Sequence, residues 1–202
     1  MSVGGPGGGA ASVGRPHAPL VGVLAIQGGV DEHVRALERC GAVTRRVRTI
    51  AGLDGLDGLV LPGGESTTMT IVMDREGLTD PLRAFLRSGK PVLATCAGLI
   101  LLDREHLDVV PMTCARNAFG RQTRSFEADL DVDGLDAAFP TVFIRAPQVV
   151  EHDPSVAVTA RVEGAVVGIR RGPVEGWAFH PELSGDDRIH ARFVERVRAT
   201  LA

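Results

Sequence analysis

Cys96 is flanked by Thr95 on one side and Ala97-Gly98 on the other, where the apolar run Pro91-Val-Leu-Ala-Thr95 gives way to the apolar helical stretch Leu99 to Leu102. A strand–turn–helix elbow of this kind lifts a nucleophile out of a sheet. Small neighbours permit the tight turn and let a substrate approach the backbone. At a helix N-terminus the positive end of the dipole favours thiolate over thiol. The next amide, Ala97 N–H, would face a developing oxyanion. The same residues also fit a small buried cysteine in a packed strand–helix junction.

His180-Pro181-Glu182 follows the strand-like run Val174 to Phe179, and Pro181 ends that run abruptly. In an extended chain residues i and i+2 project to one side. The spacing therefore predicts His180 and Glu182 pointing together, with the carboxylate fixing the imidazole tautomer, as a base and its orienting partner do in a nucleophilic triad. Alone, these residues fit better a surface histidine near a helix start; the cysteine elbow elsewhere in the chain is what favours the triad reading. A third segment, Gly63-Gly64-Glu65-Ser66, follows an apolar run ending at Leu61. Two glycines let backbone N–H groups face a substrate or an oxyanion, and Ser66 or Thr67 is placed to cap a helix through Met73. An ordinary turn and cap also accounts for Gly63 and Thr67. No Gly-Lys-Ser/Thr follows, which excludes a Walker phosphate loop.

The elements that must carry these segments alternate in type. Val21 to Ile26 reads as a strand covered on both faces. Val30, Val34 and Leu37 recur at helical spacing, with Gly41 where a C-terminal cap belongs. Strands are predicted at Val43 to Thr49, Gly58 to Leu61 and Pro91 to Thr95, and helices after Ser66, over Leu78 to Ser88 and after Cys96. Strands joined by helical crossovers imply a mainly parallel sheet. In open sheets of this type ligands bind beyond the carboxyl ends of the strands, where all three segments fall. The second half is richer in strand signals: Thr123 to Leu130, Thr141 to Ile144, Val156 to Val162, Ala165 to Arg170 and Val174 to Phe179. A final helix, Asp186 to Leu201, aligns Ile189, Phe193 and Val197. The expected architecture is an α/β sandwich: a mainly parallel central sheet flanked by helices, with additional antiparallel strands.

With 202 residues, 44% of them apolar and 23% charged, the chain fits one folded domain over residues 20–202. A net charge of -3 does not suit a basic nucleic-acid binder. No apolar run approaches the roughly 20 residues of a membrane span. Cys40, Cys96 and Cys114 are odd in number and widely spaced, which argues against a disulfide framework or a structural metal site and fits reduced thiols in a cytoplasm. Residues 1–19 are rich in Gly and Pro and lack the apolar core of a secretory signal, so a disordered tail is expected there.

Taken together, the stretches VGVLAIQGGVDEH from Val21, LPGGESTTM from Leu61, GKPVLATCAGLILL from Gly89, RNAFGRQ from Arg116, SFEADL from Ser125, VFIRAP from Val142 and FHPEL from Phe179 resemble class I, triad-type glutamine amidotransferases. Within that group they are similar to the glutaminase-subunit family of pyridoxal 5'-phosphate synthase, which the RNAFGRQ and FIRAP segments set apart from other amidotransferases. The resemblance implies a flavodoxin-like three-layer sandwich, with Cys96 as nucleophile, His180 as general base and acid, and Glu182 as its partner. It places Gly64, Glu65 and Ser66 in a glutamine pocket completed by Arg116, Ile144 and Arg145, an arginine gripping the substrate α-carboxylate. Backbone N–H groups of Ala97 and Gly64 would hold the oxyanion, and Gln27 is a candidate for relaying contact to that loop. No metal or organic cofactor is implied. The partners implied are L-glutamine and a synthase subunit that receives ammonia through a shielded path within a large hetero-oligomer, with no nucleic acid or membrane. One stretch departs from the family: Leu102 to Arg116 is several residues shorter than usual. Cys40 and Cys114 match no family role and are expected to be structural. Rival readings are another cysteine-nucleophile hydrolase of similar fold and a catalytically silent binding subunit.

Overall fold

The computed structural model describes residues 18–116 and 125–202. The expected tail thus lies almost wholly outside the described residues. So do Asn117 to Gln122 of the RNAFGRQ stretch, and Thr123 and Arg124 of the expected strand.

The first half follows the alternation read from the sequence: β1 (Leu20–Leu24), α1 (Val30–Arg39), β2 (Val43–Val47), β3 (Gly58–Leu61), α2 (Ser66–Arg75), α3 (Thr79–Leu86), β4 (Val92–Thr95) and α4 (Ala97–Leu101). A 3-10 turn at Ile50–Leu53 lies between β2 and β3. The short apolar runs become strands because both of their faces are covered: every residue of β3 and β4 is buried. α1 ends as its sequence predicts. Gly41 adopts φ 81°, its amide donates to Glu38 O, and Ala42 N–H donates to Leu37 O, so the last carbonyls of the helix are satisfied. α2 begins at Ser66, but the cap is neither Ser66 nor Thr67. Glu65 has the extended backbone of a capping residue, and its carboxylate accepts from the amides of Thr67 and Thr68.

The second half holds β5 (Met112–Ala115), β6 (Phe126–Leu130), β7 (Phe139–Phe143), β8 (Gln148–His152), β9 (Ala157–Val162), β10 (Ala165–Arg171), β11 (Val174–Trp177) and α5 (Arg188–Ala199). β5 and β8 were not among the expected strands. Their sequences, MTCA and QVVEH, show neither clean alternation nor a continuous apolar run. Pairing with each other, and of β8 with β10, makes them strands.

The main sheet runs β2-β1-β3-β4-β11-β10-β8-β5, with β9 also paired to β10. From β2 to β11 every pairing is parallel, and from β11 outward every pairing is antiparallel. β6 and β7 form a separate antiparallel ribbon. Helices α1 and α5 pack together, and α2 packs on α3 and α4. The predicted stripe on α5 is fully buried, and Ile189, Phe193 and Val197 each contribute about 1.5–3 kcal/mol by leaving water. Among the described residues no helix is long and apolar enough to cross a membrane.

Candidate active site

Four loops meet because the strands that precede them are adjacent and parallel. The pairings Val23↔Val60, Leu61↔Ala94 and Trp177↔Thr95 bring the carboxyl ends of β1, β3, β4 and β11 to one edge of the sheet. A cleft of about 490 Å³ opens there, within the roughly 300–1,000 Å³ of small-molecule pockets. The structure brings every site residue named from the sequence to this cleft: Cys96 and Ala97 after β4, Gly64, Glu65 and Ser66 after β3, His180 and Glu182 after β11, Ile144 and Arg145 after β7, Arg116 after β5, and Gln27 after β1.

Cys96 occupies a sparsely populated backbone region, φ 46° and ψ -105°. Such strain persists only where the surroundings hold it. Here Cys96 N–H donates to Trp177 O at 2.8 Å, tying the elbow to the neighbouring strand. A Cβ on Gly98 would stand 2.1 Å from Leu61 O, so only glycine lets α4 start this close to β3. The Cys96 sulfur lies 3.9 Å from Ile144 O.

His180 Nδ1 is 2.7 Å from Glu182 Oε1. The two residues do face each other, but not as i and i+2 of a strand. Pro181 fixes φ and opens a 3-10 turn, Pro181–Leu183, so the pair closes across a helical turn. Glu182 is almost fully buried, with a side-chain exposure of 1%. Burial alone would raise its pKa; facing His33 and a hydrogen bond from His180 hold it below the ordinary carboxylate value. An ionised carboxylate only accepts, so His180 carries its proton on Nδ1 and turns Nε2 away from Glu182. Burial lowers the His180 pKa, but hydrogen bonds with Cys96 and Glu182 outweigh it and raise it to about 10.

The Glu65 carboxylate is committed to capping α2, and its hydrogen bonds with Thr68 lower its pKa to about 2. Its amide donates to Gln27 Oε1 at 3.3 Å, linking the loops after β1 and β3. Arg145, like Cys96, has positive φ, 46°. Between α4 and β5, buried Asp103 acts as a hub. It accepts from the amides of Glu105 and Cys114, and Oδ1 lies 2.7 Å from His106 Nδ1. His106 Nε2 is 3.5 Å from Arg116 Nη2, and Arg116 Nη1 donates to Thr67 Oγ1 at 2.8 Å. This segment delivers Arg116 to the cleft. Cys114 is half-buried on β5, and burial pushes its thiol pKa up. Burial does the same at Cys40, the C-cap of α1.

Sequence reasoning gave no role to His33, Thr95 and His190, all fully buried; His33 lies 3.3 Å from Glu182 and contacts both of the others. The signal was available. His33 lies three residues after Val30 and four before Leu37, on the apolar stripe of α1. Among the described residues no group of three His, Cys, Asp or Glu side chains could hold a metal ion.

The chain is similar to known proteins over most of its length. The chain is 48% identical to a protein of Geobacillus sp. (strain WCH70) named pyridoxal 5'-phosphate synthase subunit PdxT, over 90% of this chain and 98% of that one. It is 46% identical to the protein of that name from Bacillus pumilus, over 88% of this chain and 94% of that one. A solved glutamine amidotransferase superposes with a TM-score of 0.82 at 42% identity, covering 88% of this chain and 98% of that one. The sequence profile of the SNO glutamine amidotransferase family matches residues 23–199, and the chain belongs to that family.

Proposed function

We propose that the protein hydrolyses L-glutamine to L-glutamate and ammonia, and that the ammonia passes to a synthase subunit that builds pyridoxal 5'-phosphate. One observation carries the reading: in a member of a glutamine amidotransferase family, a strained cysteine, a buried histidine and a buried carboxylate converge on one cleft.

In this reading the proton of Cys96 passes to His180, whose basicity is raised by Glu182. The sulfur attacks the side-chain carboxamide carbon. Ala97, the first residue of α4, has an amide with no partner inside its own helix. That amide and Gly64 N–H receive the oxyanion. His180 returns its proton to the departing nitrogen, releasing ammonia and leaving a γ-glutamyl thioester. His180 then deprotonates a water, which attacks the thioester and frees glutamate and the thiol. Arg116 and Arg145 flank the cleft as partners for the substrate α-carboxylate. The side chain of Glu65 shapes the loop rather than meeting substrate, since its oxygens are occupied by Thr67 and Thr68.

Ammonia released into water is protonated and loses its nucleophilicity. Delivery therefore calls for a docked partner in a hetero-oligomer, with the work done in the cytoplasm. The test is ammonia release from glutamine with and without a pyridoxal 5'-phosphate synthase subunit, alongside labelling of Cys96 by a glutamine-like electrophile. Cleavage of peptides with no ammonia released from glutamine would favour a peptidase instead, and no labelling at Cys96 a silent subunit.

A further inference from the structure

Glu182 uses one oxygen on His180; the other, Oε2, is buried, and among the described residues no donor is well aligned to it. His33 Nε2 lies 3.3 Å from it. The same nitrogen is 3.1 Å from Thr95 Oγ1, and that contact has the better alignment. The other ring nitrogen of His33, Nδ1, is 2.9 Å from His190 Nε2. Both rings are fully buried.

Two proton arrangements fit these contacts. In one, His33 Nδ1–H donates to His190 and a bare Nε2 lone pair faces Glu182. In the other, His190 Nε2–H donates to His33 Nδ1, and His33 Nε2–H is shared between Thr95 and Glu182. A lone pair 3.3 Å from a buried anion is repelled. The second arrangement leaves His190 Nδ1 as a bare acceptor, and that atom has no partner among the described residues. An unpaired acceptor on a neutral ring is the cheaper of the two defects. Burial also pushes the pKa of both histidines down, so each ring has one proton to place.

We infer, on the basis of the glutaminase reading above, that His33 is a positioning residue: its Nε2 proton steadies the second oxygen of Glu182, and His190 holds it in the tautomer that does so. The working line is then Cys96–His180–Glu182–His33–His190, running from the cleft to the α1–α5 interface. It draws on the turn after β11, the end of β4, α1 and α5. Other charges act on it from farther off: Glu32 on His33, and Asp187 and Arg39 on His190. With both oxygens held, Glu182 cannot rotate away from His180 when that ring gains or loses its proton.

The test compares His33→Leu, which removes both ring nitrogens, with His33→Gln, whose amide places an N–H near the lost Nε2. Each is made in the full-length chain and read two ways. Glutamine turnover is measured with the synthase subunit present. The pH dependence of Cys96 alkylation by iodoacetamide is read on the Cys96 peptide by mass spectrometry. His33→Leu is expected to lower kcat roughly tenfold, the scale for partners that orient a functional side chain. KM should stay within about twofold, since His33 is not in the cleft lining. The upper inflection of the alkylation profile should move to lower pH, because a loosened Glu182 supports the His180 proton less. His33→Gln should restore most of both. A His33→Leu protein with wild-type kcat and an unshifted profile overturns the inference.

Should His33→Leu fail to fold, nitrogen chemical shifts of the wild-type imidazoles decide. A proton on His33 Nε2 supports the assignment, and a proton on Nδ1 overturns it. Alkylation and shifts need no glutamine, so a protein inert towards glutamine would defeat the glutaminase reading while leaving this one measurable.

Discussion

Gly63 packs so closely on His180 that a Cβ built on it would lie 2.4 Å from the imidazole Cε1, and 3.3 Å from the Cβ of Cys96. The loop after β3 thus forms the floor on which the imidazole lies. Gly63→Ala should push the ring off its position. Displacements near 1 Å at a reacting centre cost about a hundredfold in rate. A loss of that order in kcat, with the melting temperature little changed, is expected in an ammonia-release assay.

Replacing Cys96 separates chemistry from strain. Cys96→Ala should show no glutamine hydrolysis above background and no labelling by the electrophile, while still binding the synthase subunit. Cys96→Gly should be equally inactive yet more stable than Cys96→Ala by about 1 kcal/mol, since glycine adopts positive φ freely. Urea denaturation measures the order; an ordinary helical position would reverse it. His180→Asn should also stop turnover, and Glu182→Gln should slow it less.

The raised pKa of His180 has a definite consequence for stability. Between the unperturbed value of 6.5 and the folded value of about 10, the folded protein keeps a proton that the unfolded chain releases. The stabilisation is complete below pH 6.5 and disappears as pH rises through about 10. The stability difference between the wild type and His180→Asn, measured by denaturation across pH 6 to 10, should therefore shrink steadily as pH rises.

Glu65 gives the opposite sign. Its carboxyl is lowered from 4.5 to about 2 by its capping bonds, so its contribution is present above pH 4.5 and is lost as pH falls through about 2. Glu65→Ala should cost about 1 kcal/mol at neutral pH, the usual worth of an N-cap. Ser66→Ala, altering the residue the sequence nominated, should lose no cap. Thermal melts of the two variants compare them directly.

Arg116 reaches the cleft through His106 and Asp103, so this line should govern substrate binding more than chemistry. Arg116→Ala is expected to raise KM for glutamine by roughly tenfold or more, the worth of a charge-assisted hydrogen bond. The change in kcat should be smaller. His106→Ala should act in the same direction to a lesser extent, by freeing one side of the guanidinium. Steady-state kinetics over a range of glutamine concentrations separates the two parameters.

Much of this arrangement is legible in the chain because it is local. The elbow at Cys96, the glycine pair after β3 and the β11-to-Pro181 break each follow from composition and spacing within a few residues. What escaped depends on contacts between distant segments. β5 and β8 lack a strand pattern and become strands through pairing. The cap on α2 comes from Glu65 because the chain enters that helix in an extended conformation, which a preference for Ser or Thr does not reveal. His33 and His190 stand 157 residues apart, and nothing near either one points to the other.

β11 lies between β4 and β10, in the interior of the sheet, although it is among the last elements of the chain to be made. A polypeptide emerging from the ribosome therefore exposes its sulfur long before the imidazole that would activate it has been synthesised. On the proposed reading, the site is complete only when this late strand inserts between two earlier neighbours. Copies truncated before β11 would then release no ammonia from glutamine.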